Sequence, residues 1–279
     1  MSGSGAEPAG APAGWPATEP AGLDGAPALI AVAHGSRDPD AARTIEAILR
    51  RVRGLRPGLA ARAAYLDIVP PAVATALTAA AGPVVAVPML LATGYHAAVD
   101  VPTAVAAARP DASVGRVLGP HPLLADALAD RLRQAGWRPS DAIILAAAGS
   151  ADPAAAVATE TQARLLAERL GELTAPHSAD PGPARGSGAS RHGSGGVGGR
   201  PAVTVGYASA RPPSVPAAVA AARAAGAARV VVASYLLAPG VFQAGLAGAG
   251  ADLVTEPLGD HPAVVRLVLL RYDEARSAG

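Results

Sequence analysis

Two histidines, His34 and His96, are the residues of this sequence best suited to metal or proton chemistry. A neutral imidazole binds borderline divalent metals and accepts protons near neutral pH. The 279-residue chain contains no cysteine, which excludes thiolate metal sites, disulfides and cysteine nucleophiles. It also contains no lysine, which excludes Schiff-base and Walker-type lysine chemistry. A metal site in this chain must therefore be built from imidazole and carboxylate groups.

The other four histidines have simpler interpretations. His121 and His261 each precede a proline at the start of a predicted helix, so we expect capping or packing roles for both. His177 and His192 lie in a Gly- and Ser-rich stretch without periodicity, where a two-histidine metal site is the alternative to no role at all.

An internal duplication separates framework residues from residues that could do chemistry. Four landmarks recur in one order: Gly-Ser-Xaa-Asp-Pro at 35–39 and 149–153, Tyr with Pro-Pro at 65–71 and 207–213, Leu-Leu with Gly at 90–94 and 236–240, and Leu-Gly-Xaa-His-Pro at 118–122 and 258–262. The chain is therefore two copies of one unit. The low-complexity stretch 174–200 is an insertion in the second copy.

The chemistry-capable side chains occur in the first copy only. His34 corresponds to Ala148, His96 to Phe242, and Asp67 to Ser209. A residue that stabilises the fold is useful in both copies, whereas a site needs to be built once. We therefore expect one site, in the first copy, with Asp67 and Asp100 serving as orienting groups, bases, ligands or only helix caps.

Short apolar runs alternate with helical patterns along both copies. Strands are predicted at 28–33, 60–66, 84–87, 114–118 and 142–147, and helices at 38–53, from 70, at 99–109 and at 121–134. The pattern predicts an α/β protein of two tandem repeated lobes, each a parallel sheet with helices on both faces. We expect a disordered tail over 1–27, a first lobe over 28–138 and a second over 139–279.

These elements position the candidate site. His34 ends the first predicted strand and His96 lies in the loop after the third, so both belong to the carboxyl edge of a parallel sheet, where ligands bind. The turn Gly35-Ser36-Arg37 between strand and helix could hold an anion on its amides, or Ser36 could simply cap the helix. No Rossmann fingerprint Gly-Xaa-Gly-Xaa-Xaa-Gly follows a predicted strand, and the hydrolase nucleophile elbow Gly-Xaa-Ser-Xaa-Gly is missing.

Composition excludes several partners. The formal net charge of +1 provides no field that would recruit nucleic acid or an acidic membrane. No apolar run reaches the roughly 18 residues of a spanning helix, and the first basic residue is Arg37, so we expect a cytoplasmic protein without a secretory signal.

Two motifs together resemble the sirohydrochlorin chelatases of the CbiX and SirB type. They are Ala-His-Gly-Ser-Arg-Asp-Pro at 33–39 and Pro-Met-Leu-Leu-Ala-Thr-Gly-Tyr-His at 88–96, followed by Asp-Val-Pro at 100–102. The resemblance covers nearly the whole chain apart from the tail and the insertion. It implies two chelatase-like lobes facing a cleft, and ATP-independent insertion of Co²⁺ or Fe²⁺ into sirohydrochlorin in cobalamin or sirohaem biosynthesis.

The resemblance also implies roles for residues. His34 and His96 are the metal-binding, catalytic imidazoles, and Asp67 takes an acidic position at which the family usually has the longer Glu. On this basis Arg37 and the amides after Gly35 would anchor substrate carboxylates, and Phe242 would pack against the ring.

The expected partners are sirohydrochlorin and the metal, which is a substrate, with no organic cofactor, no nucleic acid and no membrane. A monomer is expected because the lobes are fused. Two alternatives stay open: a non-catalytic carrier of metal or tetrapyrrole, and a histidine-dependent α/β enzyme acting on another acidic small molecule.

Overall fold

Two parallel four-stranded sheets, formed by successive parts of the chain, confirm the predicted α/β fold. The computed structural model describes residues 25–94, 99–174 and 201–278. The first sheet and its helices are β1 (Ala28–Ala33), α1 (Pro39–Leu55), β2 (Ala61–Tyr65), α2 (Val73–Ala79), β3 (Val84–Pro88), α3 (Val101–Ala108) and β4 (Ser113–Val114). The remaining elements are α4 (Pro122–Gln134), β5 (Ala142–Ala147), α5 (Pro153–Thr174), β6 (Val203–Tyr207), α6 (Val215–Ala224), β7 (Val230–Tyr235), α7 (Val241–Leu246), β8 (Leu253–Val254) and α8 (Pro262–Ala278).

The duplication is visible in the order of the strands. The first sheet has the order β2-β1-β3-β4 and the second β6-β5-β7-β8, with all neighbours parallel. The backbone N–H of Tyr65 donates to the Pro71 carbonyl over 2.9 Å, and Tyr207 donates to Pro213 over the same distance. The structure therefore repeats the correspondence that the sequence predicts.

Helices cover both faces of the first sheet because its central strand is apolar on both sides. Ile30 and Val32 of β1 pack with α2 and α3 on one face. The alternate residue Leu29 is also completely buried, and α1 lies against β1 and β2 with buried side chains such as Ile48. Burial on both faces is typical of a central parallel strand.

The fourth strand is shorter than predicted: it ends at Val114 instead of Leu118. Beyond the strand, the Arg271 guanidinium binds two successive carbonyls: its Nε donates to Val117 O over 2.8 Å and its Nη2 to Leu118 O over 3.1 Å. An arginine on α8 therefore holds the segment that follows β4.

The compact units do not end where the sequence copies end. Unit 1 contains residues 1–118 and 265–279, and unit 2 contains residues 119–264, whereas the prediction divided the lobes after residue 138. Helix α4 packs against α5 and β7, and Tyr272 of α8 donates its hydroxyl to Pro27 O over 2.6 Å. The last helix of each copy therefore completes the other copy's unit. Of the predicted tail and insertion, residues 1–24 and 175–200 lie outside the described residues.

A half-buried ion pair attaches α8 within unit 1 and makes its stability depend on pH. Arg56 donates two hydrogen bonds to Asp273, over 2.6 and 2.8 Å. Hydrogen bonding to Arg56 lowers the pKa of Asp273 from its ordinary value, so the pair stabilises the fold above about pH 4 and this contribution is lost as the pH falls through the lowered pKa.

No helix in the described ranges is long and apolar enough to cross a membrane.

We expect the Asp273→Asn variant to be less stable than the wild type by up to about 1 kcal/mol at pH 6, a modest value because both side chains are about one-third exposed. The difference should shrink steadily below pH 4. Urea denaturation of both proteins between pH 2.5 and 6 measures it. A difference that stays constant across this range would contradict the assigned role of the pair.

Candidate functional site

The strand order of the first sheet defines where a ligand can bind. The chain leaves β1 towards β2 on one side of the sheet, whereas β3 leads to β4 on the other. In open α/β sheets such a change of direction creates a crevice outside the carboxyl ends of the two central strands. His34 follows β1 directly. His96 belongs to the segment that follows β3, but residues 95–98 lie outside the described residues, so its position stays a prediction.

Backbone hydrogen bonds bring His34 and Asp67 side by side. The N–H of Asp67 donates to the carbonyl of His34 over 3.0 Å, which extends the β1–β2 pairing by one step beyond Leu66 and Ala33. Both His34 and Asp67 are exposed to solvent. The structure therefore places two of the predicted site residues next to each other at the carboxyl edge of the sheet.

Gly35 permits this close approach of the two strand ends. Its φ is +100°, and a Cβ there would lie 2.0 Å from the carbonyl oxygen of Asp67. In the second copy Gly149 has a φ of +93°, and its Cβ would lie 2.1 Å from the carbonyl oxygen of Ser209. No side chain fits at either position, so both glycines have a framework role, and the predicted role of Gly35 in substrate binding stays a prediction.

Replacing Gly35 or Gly149 by alanine is expected to lower the free energy of unfolding by about 2–4 kcal/mol, because the φ is unfavourable and the new Cβ overlaps a backbone oxygen. The two variants form a matched pair, since the steric situation is the same in a unit with histidine and in one without. Urea denaturation followed by circular dichroism measures the loss. A loss below 0.5 kcal/mol in both variants would contradict the close approach.

Side chains that follow Gly35 build a helix cap. The Ser36 hydroxyl accepts the N–H of Asp38 over 3.1 Å, and the Asp38 carboxylate accepts the N–H of Asp40 over 2.9 Å. Ser150 and Asp152 make the equivalent bonds in the second copy. This repetition favours the capping interpretation of Ser36. Within the described parts of the chain, the backbone N–H groups of Ser36 and Arg37 donate to no protein acceptor.

Asp67 also holds a local turn. Its Oδ1 accepts the N–H of Ile68 over 2.7 Å. Ile68 has a φ of +72°, which is unusual for a β-branched residue, and its side chain is 47% exposed. In the second copy Ala210 has the same backbone conformation, and Ser209 donates its hydroxyl to the carbonyl of Ala148 over 2.9 Å. A carboxylate is thus not required to form this turn.

Asp100 immediately precedes α3, but its side chain does not cap that helix. Among the residues that the structure describes, which leave out His96, no three histidine, aspartate or glutamate side chains form a metal-binding group.

The predicted capping histidines are confirmed. The Nδ1 atom of His121 accepts the N–H of Leu123 over 3.1 Å, and that of His261 accepts the N–H of Ala263 over 3.2 Å. Each ring thereby caps a helix that begins at the following proline. His177 and His192 lie outside the described residues.

In the second unit, Phe242 lies at the position that corresponds to His96. Helix α7 begins directly after Gly240, and its first two side chains, Val241 and Phe242, are 85% and 43% exposed. The exposure of Val241 could not be predicted, since an exposed valine cannot be distinguished from a core valine by its type. Gln243, the next residue after Phe242, corresponds to alanine at position 97 of the first copy.

Comparisons with known proteins agree with this geometry. A family model, CbiX, matches residues 28–135 and 194–275. The structure of SirB from Bacillus subtilis with Fe³⁺ is similar with a TM-score of 0.70 and 20% identity, covering 90% of this chain and 96% of that chain. The sirohydrochlorin chelatase SirB from Bacillus subtilis subspecies spizizenii in complex with cobalt has a TM-score of 0.65 and 18% identity at the same coverage, 90% and 96%.

A third structure is that of CbiX, described as the terminal enzyme for biosynthesis of siroheme in denitrifying bacteria. It has a TM-score of 0.58 and 22% identity, and covers 89% of this chain and 99% of that chain. No curated protein sequence matches the chain. At these identities the structural likeness shows a shared fold.

Proposed function

The chain belongs to the CbiX family, and on this premise we propose that it inserts Co²⁺ or Fe²⁺ into sirohydrochlorin without hydrolysing a nucleotide. The observation that carries the proposal is the place of His34 at the topological switch point of the first sheet, where the second copy has Ala148 at the equivalent position. Support also comes from similar structures whose descriptions name sirohydrochlorin chelatase, Fe³⁺ and cobalt.

Insertion of a divalent ion into a tetrapyrrole requires two changes. The ion must exchange its water ligands for ring nitrogens, and the ring must lose two pyrrole N–H protons. His34 is exposed beyond the end of β1, so a metal bound to its imidazole would keep other coordination positions open for water and for the ring. We assign His34 and His96 as the metal ligands. The imidazole that released the ion to the ring would regain its lone pair and could accept one pyrrole proton, and the other proton would pass to Asp67 or to water.

The substrate-binding assignments rest on charge and exposure. Sirohydrochlorin carries carboxylates on its periphery, and the exposed Arg37 lies three residues after His34. The backbone N–H groups of Ser36 and Arg37 support the same role, because within the described chain they donate to no protein acceptor and could donate to a carboxylate. We therefore assign Arg37 and these amides to substrate carboxylates and the exposed Phe242 to the ring face. Gly35 is assigned to the same substrate-binding turn, where its left-handed backbone allows the amides that follow it to be presented.

We propose that the Asp67 carboxylate orients an imidazole or accepts a proton from the substrate, and that it does not maintain the fold. The Asp67→Ser variant copies the residue found in the second unit, where serine supports the same turn, so we expect unchanged stability. The insertion rate should fall about 10- to 100-fold, because a carboxylate that orients or accepts a proton is lost. Steady-state kinetics and thermal denaturation measure the two effects. An unchanged insertion rate would show that Asp67 has no role in the reaction and serves only to form the turn.

The proposed activity is tested by mixing the protein, metal-free sirohydrochlorin and Co²⁺ or Fe²⁺ under anaerobic conditions and following the absorbance of the metallated product. Faster metallation than in buffer alone supports the chelatase. Tight binding of metal and tetrapyrrole without acceleration would identify a carrier. A third alternative, acid–base catalysis on another acidic small molecule, predicts activity that survives chelation of metal. Competition between Co²⁺ and Fe²⁺ in the same assay determines the preferred metal.

A further inference from the structure

The outer strand of the second sheet has backbone groups without a partner. β6 pairs with β5 on one side and lies at the edge of the sheet on the other. The N–H of Tyr207 points away from β5 and donates to the carbonyl of Pro213, whereas the next N–H along the strand donates to β5. Because successive residues of a strand direct their backbone groups to opposite sides, Val203 and Val205 direct theirs outward, as Tyr207 does. Within the described chain, no hydrogen bond is made to the backbone of Val203 or Val205 on this side.

The corresponding edge of the first sheet is covered by an arginine. Ala61 on β2 corresponds to Val203, and its carbonyl accepts a hydrogen bond from Nη1 of Arg53 over 2.7 Å. Arg53 lies on α1 and corresponds to Ala167 on α5. A methyl group cannot make this bond, so the second copy lacks the side chain that occupies the strand edge in the first.

A cavity of about 540 Å³ lies between α5 and the outer side of β6. Three of its lining residues are smaller than their counterparts in the first copy: Ala163 replaces Leu49, Ala167 replaces Arg53, and Thr204 replaces Arg62. Sheet edges that must not pair with other chains are usually protected by charged side chains or by a covering element. The strand Val203–Val205, which we call the β6 edge, carries no such charge and remains accessible.

The helix beside the β6 edge carries two charges of opposite sign that form no ion pair within the described residues. Glu160 and Arg164 both line the cavity, and Arg164 donates only to the hydroxyl of Thr161, over 2.8 Å. In the first copy, Glu46 corresponds to Glu160 and contacts Arg53 over 3.7 Å. The change from arginine to alanine thus uncovers the strand and also leaves a carboxylate for another partner.

We propose that the β6 edge pairs with the β6 edge of a second copy of this chain, so that two four-stranded sheets join in a homodimer. Antiparallel pairing about a twofold axis places Val203 of each copy opposite Val205 of the other, where their outward N–H and C=O groups can exchange hydrogen bonds. The same axis makes the two α5 helices antiparallel, which brings Glu160 of each copy opposite the partner's Arg164. The surface is therefore complementary to itself in both backbone and charge.

Helix α5 extends this contact beyond the strand. It has 22 residues and is about 33 Å long. Val157, 61% exposed, lies three residues before Glu160 and therefore on the same face. A strand alone covers a narrow strip, so a stable interface of about 800 Å² per partner must include α5. A small anion is disfavoured as the occupant, because the carboxylate of Glu160 lines the cavity together with Arg164 and Arg211.

The first experiment measures the mass of the full chain by sedimentation between about 1 and 100 μM, without metal or sirohydrochlorin. We expect a reversible dimer of twice 27.3 kDa, in place of the monomer predicted from the fused lobes. Ala167→Arg restores the arginine of the first copy and should raise the dissociation constant at least about 10-fold, because it covers the β6 edge. The matched control is Ala107→Arg, which adds the same side chain at an exposed position of α3 and should leave the constant unchanged.

The second experiment tests the paired charges. Glu160→Arg and Arg164→Glu should each raise the dissociation constant about 10-fold, because like charges then oppose each other at two symmetric places. An equimolar mixture of the two variants should dimerise as well as the wild type, since every opposed pair again has opposite signs. If either substitution acted only on the fold of its own chain, mixing would restore nothing, and the proposed pairing would be wrong.

Residues 175–200 connect α5 to β6 and are the other candidate for this edge. Deletion of residues 177–199 leaves five residues between the two elements, as between α1 and β2. A wild type that stays monomeric while this shortened variant dimerises would assign the edge to the connecting segment and overturn the homodimer.

The remaining outcomes are also decisive. Monomers of both proteins over the whole concentration range would overturn self-pairing. A dimer that survives Ala167→Arg and both charge substitutions would place the interface elsewhere and reject the β6 edge. Self-association requires neither metal nor sirohydrochlorin, so metal insertion by a monomeric wild type would leave the proposed function standing.

Discussion

Replacing His34 by alanine is expected to lower the rate of metal insertion at least 100-fold. The imidazole is both a proposed metal ligand and a candidate proton acceptor, and the loss of a group with either role removes a factor of about 10² to 10⁴. The dissociation constant for Co²⁺ should rise in parallel, whereas that for metal-free sirohydrochlorin should change little. Insertion kinetics and separate titrations with metal and with sirohydrochlorin measure these three quantities.

The substitution should not disturb the fold. His34 is exposed, and Ala148 occupies the equivalent position after β5, so alanine is already tolerated at the end of such a strand. We expect a change in the free energy of unfolding within about 0.5 kcal/mol. The matched control is His121→Ala, which removes a helix cap and should cost about 1 kcal/mol while the insertion rate stays the same. If the His34→Ala variant inserted metal at the rate of the wild type, the proposed metal site would be disproved.

The sheet and the position of His34 could be predicted because they depend on local sequence. The apolar run Ala28–Ala33 is short and contains β-branched residues, which predicts a strand, and Asp38-Pro39 starts a helix. His34, directly after the strand, must therefore lie at the carboxyl edge of the sheet. The duplication then removed His121 and His261 from consideration, and the structure confirms both as caps. Comparison of the two copies thus distinguishes framework residues from residues that could do chemistry, without a second sequence.

Other features depend on contacts between distant parts of the chain and could not be predicted. Helical periodicity identifies α4 and α8 but does not indicate which sheet each one covers, and the structure assigns them to the opposite units. Gln243 of α7 hydrogen-bonds to Ser234 of β7 and to Thr255, the residue after β8, which are distant from one another in the sequence. The left-handed backbone of Ile68 also gives no sequence signal, because glycine or asparagine is the residue expected there.

The exchange of the last helices has a consequence for the N-terminal unit, which carries His34. This unit includes residues 265–279, so we expect the contacts that attach α8 to it to stabilise the site from the far end of the chain. Arg271 makes two of these contacts. It is 4% exposed, and besides its bonds to Val117 and Leu118 it donates to Glu274 over 2.9 Å.

Replacing Arg271 by alanine is therefore expected to lower the free energy of unfolding by about 3–5 kcal/mol, because two carbonyls lose their donor, the Glu274 carboxylate loses a cation and a cavity remains. Such a loss is a large fraction of the stability of an ordinary domain. Urea denaturation measures it, and insertion activity should disappear at a lower temperature than in the wild type. Arg271→Lys should recover part of the loss, since an ammonium can still donate to one or two of the acceptors.

The matched control for this prediction is Arg266→Ala on the same helix, where the side chain is exposed and a loss below about 0.5 kcal/mol is expected. If Arg271→Ala were as mild as this control, α8 would not be an integral part of the N-terminal unit. A large loss for Arg271→Ala alone, accompanied by loss of activity on mild heating, would show that the proposed metal site at the start of the chain depends on a helix at its end.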